Sequence, residues 1–171
     1  MSLSVAPPRS LWRRFTAAYA QLLTATLALS VGILVVPVTL QVISRYTDLI
    51  PAYIWTEGMA RFLFIWMIMI GAMVGVRESA HFEVDVWPNL PRRGEAAVRI
   101  LARLGILGMA LVFVIGGIEF TRFAWYRTSE LADRPLWLIH VAWPLAGITW
   151  IAFLGEQFVD EGKVLIGRGE P

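Results

Sequence analysis

Four long apolar stretches dominate the sequence, at residues 17–43, 58–76, 100–120 and 136–154. A helix rises about 1.5 Å per residue, so about 20 apolar residues cross the ~30 Å hydrocarbon layer of a bilayer. Charged residues make up only 16% of the chain, against roughly 25% in a soluble domain. The sequence therefore predicts an all-α integral membrane protein. We expect residues 1–171 to form a single domain of four transmembrane helices with short loops.

The first stretch is open to two interpretations. Positive charge precedes it, as in a secretory signal peptide. The apolar part of a signal peptide is only about 7–15 residues long, however, and this stretch is far longer. A retained membrane helix is therefore the favoured interpretation.

Prolines and glycines inside the stretches bear on how the helices pack. Pro37 in the first stretch and Pro144 in the fourth should each bend their helix locally. Small residues let helix backbones approach closely in lipid. Close packing of the third stretch is therefore predicted at four glycines: Gly105, Gly108, Gly116 and Gly117.

Lysines and arginines are unevenly distributed outside the four stretches. Nine lie in the N-terminal segment, the second loop and the C-terminal tail, whereas four lie in the first and third loops. Cytoplasmic segments of membrane proteins carry the excess of these residues. The distribution predicts that both termini are cytoplasmic.

Charged side chains within the predicted spans indicate either local pairing or a proton pathway. Glu57 lies four residues before Arg61, so the two should form an ion pair on one helical face. Arg103 should extend its charge to the inner surface, and Glu119 should pair with Arg122. Local pairing is favoured because the first span carries no acid or base.

The sequence offers no convincing catalytic, cofactor or metal site. It has no cysteine, which excludes thiolate chemistry. His81, Glu83 and Asp85 could suggest metal ligands, but on a helix only His81 and Asp85 share a face, and structural zinc takes four ligands. A haem held by His81 and His140 would need both at one depth, and His81 lies in a loop. We therefore expect no enzyme activity, no cofactor and no metal.

Several runs of residues occur in an order typical of one family: QVISRY (41–46), WTEGMARFLFIWMIMIGA (55–72), VRESAHFEVD (76–85) and NLP (89–91). In this order they resemble the small membrane subunit (the Q, or DctQ-type, subunit) of tripartite ATP-independent periplasmic (TRAP) transporters. The likeness in motifs covers under a third of the chain. The positions that match the family pattern are Gln41, Arg45, Trp55, Glu57, Arg61, Arg77, His81 and Asp85.

The resemblance implies a function and two protein partners. In such transporters a periplasmic substrate-binding protein captures an organic acid, and a large multi-span membrane subunit carries the substrate and sodium sites. The small subunit has no transport site of its own. It braces the large subunit and helps dock the binding protein, and it lies in the bacterial inner membrane without nucleic acid or cofactor.

Two roles for particular residues follow as hypotheses from this resemblance. Arg45, Glu57 and Arg61 would tie the first two spans together near the periplasmic face. The third loop would contact the soluble partner through Arg122, Arg127, Glu130, Asp133 and Arg134.

Three other functions remain open at this stage. A stand-alone four-helix exporter would need a carboxylate inside the first span, and this span has none. A haem- or quinone-binding subunit of a respiratory complex is disfavoured because the chain has only two histidines. An assembly factor with an unrelated partner is the third alternative.

Overall fold

A computed structural model describes residues 11–47, 50–51, 53–78, 92–128 and 135–165. It contains four long helices and one short one: α1 (Leu11–Tyr46), α2 (Ile54–Glu78), α3 (Arg92–Ala124), α4 (Trp137–His140) and α5 (Ala142–Leu165). Four helical segments are long and apolar enough to cross a membrane, namely α1, α2, α3 and α4 together with α5. The all-α, four-span architecture predicted from the sequence is confirmed. α1, α2 and α3 extend beyond the predicted apolar stretches at both ends, and α5 extends beyond the fourth stretch at its C-terminal end.

The two prolines differ in effect. α1 stays helical through Pro37, whose side chain is buried. The fourth span is instead interrupted at Val141, between α4 and α5. Pro144 has no N–H to donate to the carbonyl of His140, and its ring crowds that carbonyl. Two residues before His140, the carbonyl oxygen of Leu138 accepts a hydrogen bond from the indole Nε1 of Trp66 at 3.0 Å.

The helices lie side by side in the order α1, α2, α5, α3. α1 packs along α2, α2 packs along α5, and α5 packs along α3, whereas the described parts of α1 and α3 make no close backbone contact. The core lies around α5, on the sides that it packs against α2 and α3, with Met73, Ala110, Ala146 and Phe153 almost fully buried. α1 and α3 are therefore the edges of the layer, and each exposes a long apolar face.

Two glycines set the closest helix crossing, between α3 and α5. A Cβ placed on Gly117 would lie 2.5 Å from Cδ of Pro144, and one on Gly147 would lie 2.6 Å from the carbonyl oxygen of Ala110. Gly117 thus confirms one of the four predicted packing positions. Gly105, Gly108 and Gly116 make no such close approach to the described residues, since none of their atoms lies within 4 Å of a Cβ built on these glycines. They lie on other faces of α3 than the one that contacts α5.

Candidate functional site

A cluster of polar side chains joins three helices at the predicted cytoplasmic end of the layer. We call it the Glu156 cluster, and its members are Arg13, Thr16, Arg77, Glu156 and Asp160. Glu156 Oε2 accepts a hydrogen bond from Thr16 Oγ1 at 2.8 Å and lies 3.5 Å from Arg77 Nη1. Glu156 Oε1 lies 3.8 Å from Arg13 Nε, and Arg13 also pairs with Asp160. The start of α1, the end of α2 and the end of α5 are held together by these charges.

A second set of contacts extends the Glu156 cluster to α3. Gln157 Nε2 donates to the carbonyl oxygen of Val76 at 2.9 Å, which links α5 to α2. Arg103 Nη1 donates to the carbonyl oxygen of Gln157 at 3.2 Å, which links α3 to α5. The guanidinium of Arg77 lies 5.1 Å from the ring centroid of Phe153. All four long helices therefore meet at this end through polar contacts.

Arg103 is buried between helices, since only 8% of the residue is exposed. Its acceptor, Gln157, lies at the predicted cytoplasmic end, and the extension of the charge to the inner membrane surface stays a prediction. A backbone carbonyl of α5 lies within its reach, and an arginine in lipid is stabilised by any buried acceptor that satisfies its donors. Arg103 is thus part of the packing between α3 and α5.

Sequence reasoning identified Arg77 but missed Glu156, the residue at the centre of the cluster. Glu156 and Asp160 are four residues apart just beyond the fourth apolar stretch, so they share a helical face. They lie on the side that the lysines and arginines mark as cytoplasmic. Two acidic residues on one helical face, on the side of the membrane that carries most of the arginines, could have predicted these ion pairs.

The opposite end of α2 carries the predicted ion pair. Arg61 Nη2 lies 3.0 Å from Glu57 Oε1, which confirms the pairing expected from their spacing. Both side chains are more than half exposed, and the pair lies within α2 rather than between α1 and α2. Trp55, in the first turn of α2, is also half exposed, with its ring 6.3 Å from that of Tyr53.

Gln41 and Arg45 lie one turn apart near the end of α1. Arg45 is exposed and, within the described part of the chain, forms no ion pair with Glu57. The tie of Arg45 to Glu57 and Arg61 between the first two spans therefore stays a prediction. Gln41 is partly buried, and its Nε2 has no hydrogen-bond partner among the described residues.

The segment between α3 and α4 is held at its base. The amide N–H of Leu136 donates to the carbonyl oxygen of Arg127 at 2.9 Å, beside an isolated bridge between Thr128 and Pro135. The guanidinium of Arg127 lies 4.0 Å from the ring centroid of Phe123. The predicted pair of Glu119 with Arg122 is not among the ion pairs of the described residues, and both side chains are exposed.

Five predicted site residues lie outside the described residues: His81, Asp85, Glu130, Asp133 and Arg134. Within the described part of the chain, no three histidine or acidic side chains come together as a metal site would need. The described residues instead form ion pairs and hydrogen bonds near the helix ends, and α1 and α3 each expose an apolar face.

The sequence model of one protein family matches residues 34–162, about three-quarters of the chain. That family is the DctQ component of tripartite ATP-independent periplasmic transporters. The chain belongs to this family. The resemblance of the motifs in residues 41–91 is thereby confirmed, and the match extends it through α3 and most of α5.

Several relatives carry the same family name. The sialic acid TRAP transporter small permease protein SiaQ of Vibrio cholerae is 23% identical over 67% of this chain and 66% of its own length. A putative TRAP transporter small permease protein of Haemophilus influenzae is 29% identical over 67% of this chain and 71% of its own length. The C4-dicarboxylate TRAP transporter small permease protein DctQ of Vibrio cholerae is 30% identical over 46% of this chain.

The matches span only part of some relatives. They cover 36% of the length of DctQ from Vibrio cholerae and 18% of the isethionate TRAP transporter permease protein DctMQ of Oleidesulfovibrio alaskensis. All of these relatives are transporter permease proteins, a kind of protein that is not an enzyme. With its four apolar helices, this DctQ-type chain is a multi-pass protein of the bacterial inner membrane.

Proposed function

We propose that the chain is the small permease subunit of a TRAP transporter, in which it braces the large membrane subunit and helps dock the periplasmic binding protein. The transporter would take up an organic acid with sodium. The observation that carries this proposal is the family match over residues 34–162. The positions of the charged side chains and of the exposed apolar faces in the four-helix domain also support this proposal.

The distribution of charge supports a bracing role rather than a transport pathway. The charged groups of the described residues lie within about two turns of the ends of the membrane-spanning segments, as Arg61, Arg103 and Glu119 do. A proton or ion relay needs ionisable groups at successive depths. Charges confined to the two ends instead hold the helices to one another and to the membrane surfaces.

The exposed edges support a large membrane partner. α1 presents Leu22, Leu29 and Val35 outward, each about three-fifths exposed, and α3 presents a similar apolar face. Lipid can cover such faces, and so can the helices of another subunit. In the DctMQ relative, the region similar to this chain makes up 18% of a longer permease protein. The name DctMQ joins the two permease components, which favours a large subunit as the neighbour of this chain.

The segment between α3 and α4 is our candidate for contact with the binding protein. It lies at the predicted periplasmic end, and its base is fixed by the Thr128–Pro135 bridge. Replacing Arg127 and Arg134 with glutamate reverses two charges there and should weaken docking at least about tenfold, since opposed charges across an interface are unfavourable. Binding of the soluble protein to the reconstituted transporter measures the effect. Unchanged docking would remove this part of the proposal.

Reconstituted uptake tests the function as a whole. Proteoliposomes would contain the large subunit with or without this chain, together with the binding protein and an inward sodium gradient. Labelled C4-dicarboxylate, sialic acid and isethionate would serve as substrates. We expect sodium-dependent uptake of one acid only when this chain is present. Equal uptake without it would contradict the proposal, and so would uptake by this chain alone.

A further inference from the structure

A groove opens between the end of α3 and the junction of α4 with α5. It encloses about 480 Å³ and is lined by Ile118, Thr121, Arg122, Trp125, Tyr126, Val141 and Pro144. Just below it, Gly117 and Pro144 bring the two helices into their closest approach. Val141, at the junction, keeps α-helical dihedral angles (φ −63°, ψ −19°). The groove therefore lies between the end of α3 and a nearly continuous fourth span, directly beside their close crossing.

The lining of the groove changes from apolar to polar along its length. Ile118, Val141 and Pro144 form an apolar floor on the side of the membrane interior. Arg122 and Tyr126 lie toward the helix end, and Tyr126 is 93% exposed. Trp125 stacks on Trp137 with 5.1 Å between ring centroids, and such rings favour the headgroup layer of a bilayer. The polar part of the groove is thus at headgroup level.

Arg122 is the cation of this groove. It pairs with no acid in the described part of the chain, although Glu119 lies only three residues away. The hydroxyl of Thr121 donates a hydrogen bond to the carbonyl oxygen of Gly117, one turn earlier in the same helix, at 2.7 Å. The guanidinium is the strongest donor on the groove's lining, and a planar guanidinium binds phosphate oxygens in pairs.

We propose that this groove binds one phospholipid, with its phosphate on Arg122 and an acyl chain along Ile118, Val141 and Pro144. The charge of Arg122 complements a phosphate, and the apolar floor matches a hydrocarbon chain at the same depth. A soluble anion would use the arginine but would leave the floor uncovered. The lipid would also fill the space between the end of α3 and the junction of α4 with α5.

Native mass spectrometry of the purified full chain, with its large subunit where the two copurify, tests this site. The protein is titrated with phosphatidylglycerol, and bound lipid is counted. We expect one retained lipid in the unaltered protein and about tenfold weaker binding in Arg122→Gln, because a charge-assisted contact is lost. Arg127→Gln is the matched control, since that guanidinium lies on Phe123 rather than in the groove. Its lipid binding should stay within about twofold of the unaltered protein.

One further variant and one competition measurement distinguish a bound lipid from other occupants of the groove. Ile118→Trp fills the apolar floor and leaves the guanidinium in place, so it should also weaken lipid binding. Glycerol 3-phosphate, which has no acyl chain, should compete poorly. Effective competition by glycerol 3-phosphate together with normal binding in Ile118→Trp would assign the groove to a soluble anion and overturn the proposal. Equal lipid binding in Arg122→Gln and the unaltered protein would also overturn it. The proposal would also be overturned if Arg122→Gln weakened docking of the binding protein and left lipid binding unchanged.

Discussion

Glu156 receives interactions from two other helices through a single carboxylate. Its side chain is 17% exposed, and its partners Arg13 and Arg77 come from opposite ends of the sequence's first half. Both guanidinium groups and the hydroxyl of Thr16 stabilise this partly buried carboxylate. Removing its negative charge takes away the acid that faces Arg77, whereas Arg13 still pairs with Asp160.

Glu156→Gln should therefore destabilise the protein. The amide retains a hydrogen-bond acceptor for Thr16 but loses the charge that faces Arg13 and Arg77. We expect a loss of about 2 kcal/mol, within the range for removing one charged partner from a hydrogen-bonded group. Thermal unfolding in mild detergent, followed by tryptophan fluorescence, measures this change.

Glu57→Gln is the matched control for that substitution. Its pair with Arg61 is exposed and within one helix, and such pairs contribute only about 0.3–0.5 kcal/mol. The isolated chain should therefore unfold at nearly its usual temperature. If the two substitutions lowered the unfolding temperature equally, the Glu156 cluster would have no special structural role.

Residue spacing within one helix was predictable, whereas contacts between helices were not. The Glu57–Arg61 pair follows from a separation of four. Thr16 and Arg77 are separated from Glu156 by 140 and 79 positions, and the sequence does not show which helices are neighbours. The acceptor of Arg103 was not predictable for the same reason, because it belongs to α5.

The contact between α3 and α5 depends on the absence of a side chain at Gly147. A Cβ there would lie 2.6 Å from the carbonyl oxygen of Ala110 and 3.0 Å from the amide nitrogen of Val114. Both atoms belong to the backbone of α3, so they cannot move aside without shifting the helix. In lipid, close packing of this kind replaces the hydrophobic effect as the force between helices.

Gly147→Ala should separate α3 from α5 and lower the free energy of unfolding by about 2 kcal/mol, as overpacking of a tight core does. Gly116→Ala makes the same chemical change on α3, where no atom lies within 4 Å of the added Cβ. It should be neutral or slightly stabilising, because alanine favours the helix. Thermal unfolding of the two variants side by side is the measurement. Equal destabilisation would contradict the close approach at Gly147.

At the scale of helices, apolar length predicted the number of spans and their approximate bounds. The glycine positions that matter were harder to predict, because every glycine of α3 satisfies the same composition rule. Gly117 differs from Gly116 only in the face of the helix that it occupies. The break at Val141 follows from Pro144, but Pro37 left α1 helical, so a proline alone does not fix where a span is interrupted.

The whole molecule is a layer with two apolar edges, and its orientation in the membrane stays a prediction from charge. Because the chain has no cysteine, single cysteines can report each side without background. Leu11 and Thr128 are exposed and lie at opposite ends of the layer. A membrane-impermeant maleimide should label Thr128→Cys in intact spheroplasts and Leu11→Cys only after permeabilisation. The reverse pattern would place both termini in the periplasm.

Our central proposal is that this chain binds a large membrane subunit along its exposed apolar edges. The most direct measurement is the mass of the complex that forms when an affinity-tagged chain is coexpressed with the large TRAP subunit of the same organism and purified in mild detergent. We predict a stable complex with equal numbers of the two subunits, which persists through size-exclusion chromatography. A tagged chain that purifies alone, while the large subunit remains folded without it, would contradict the account.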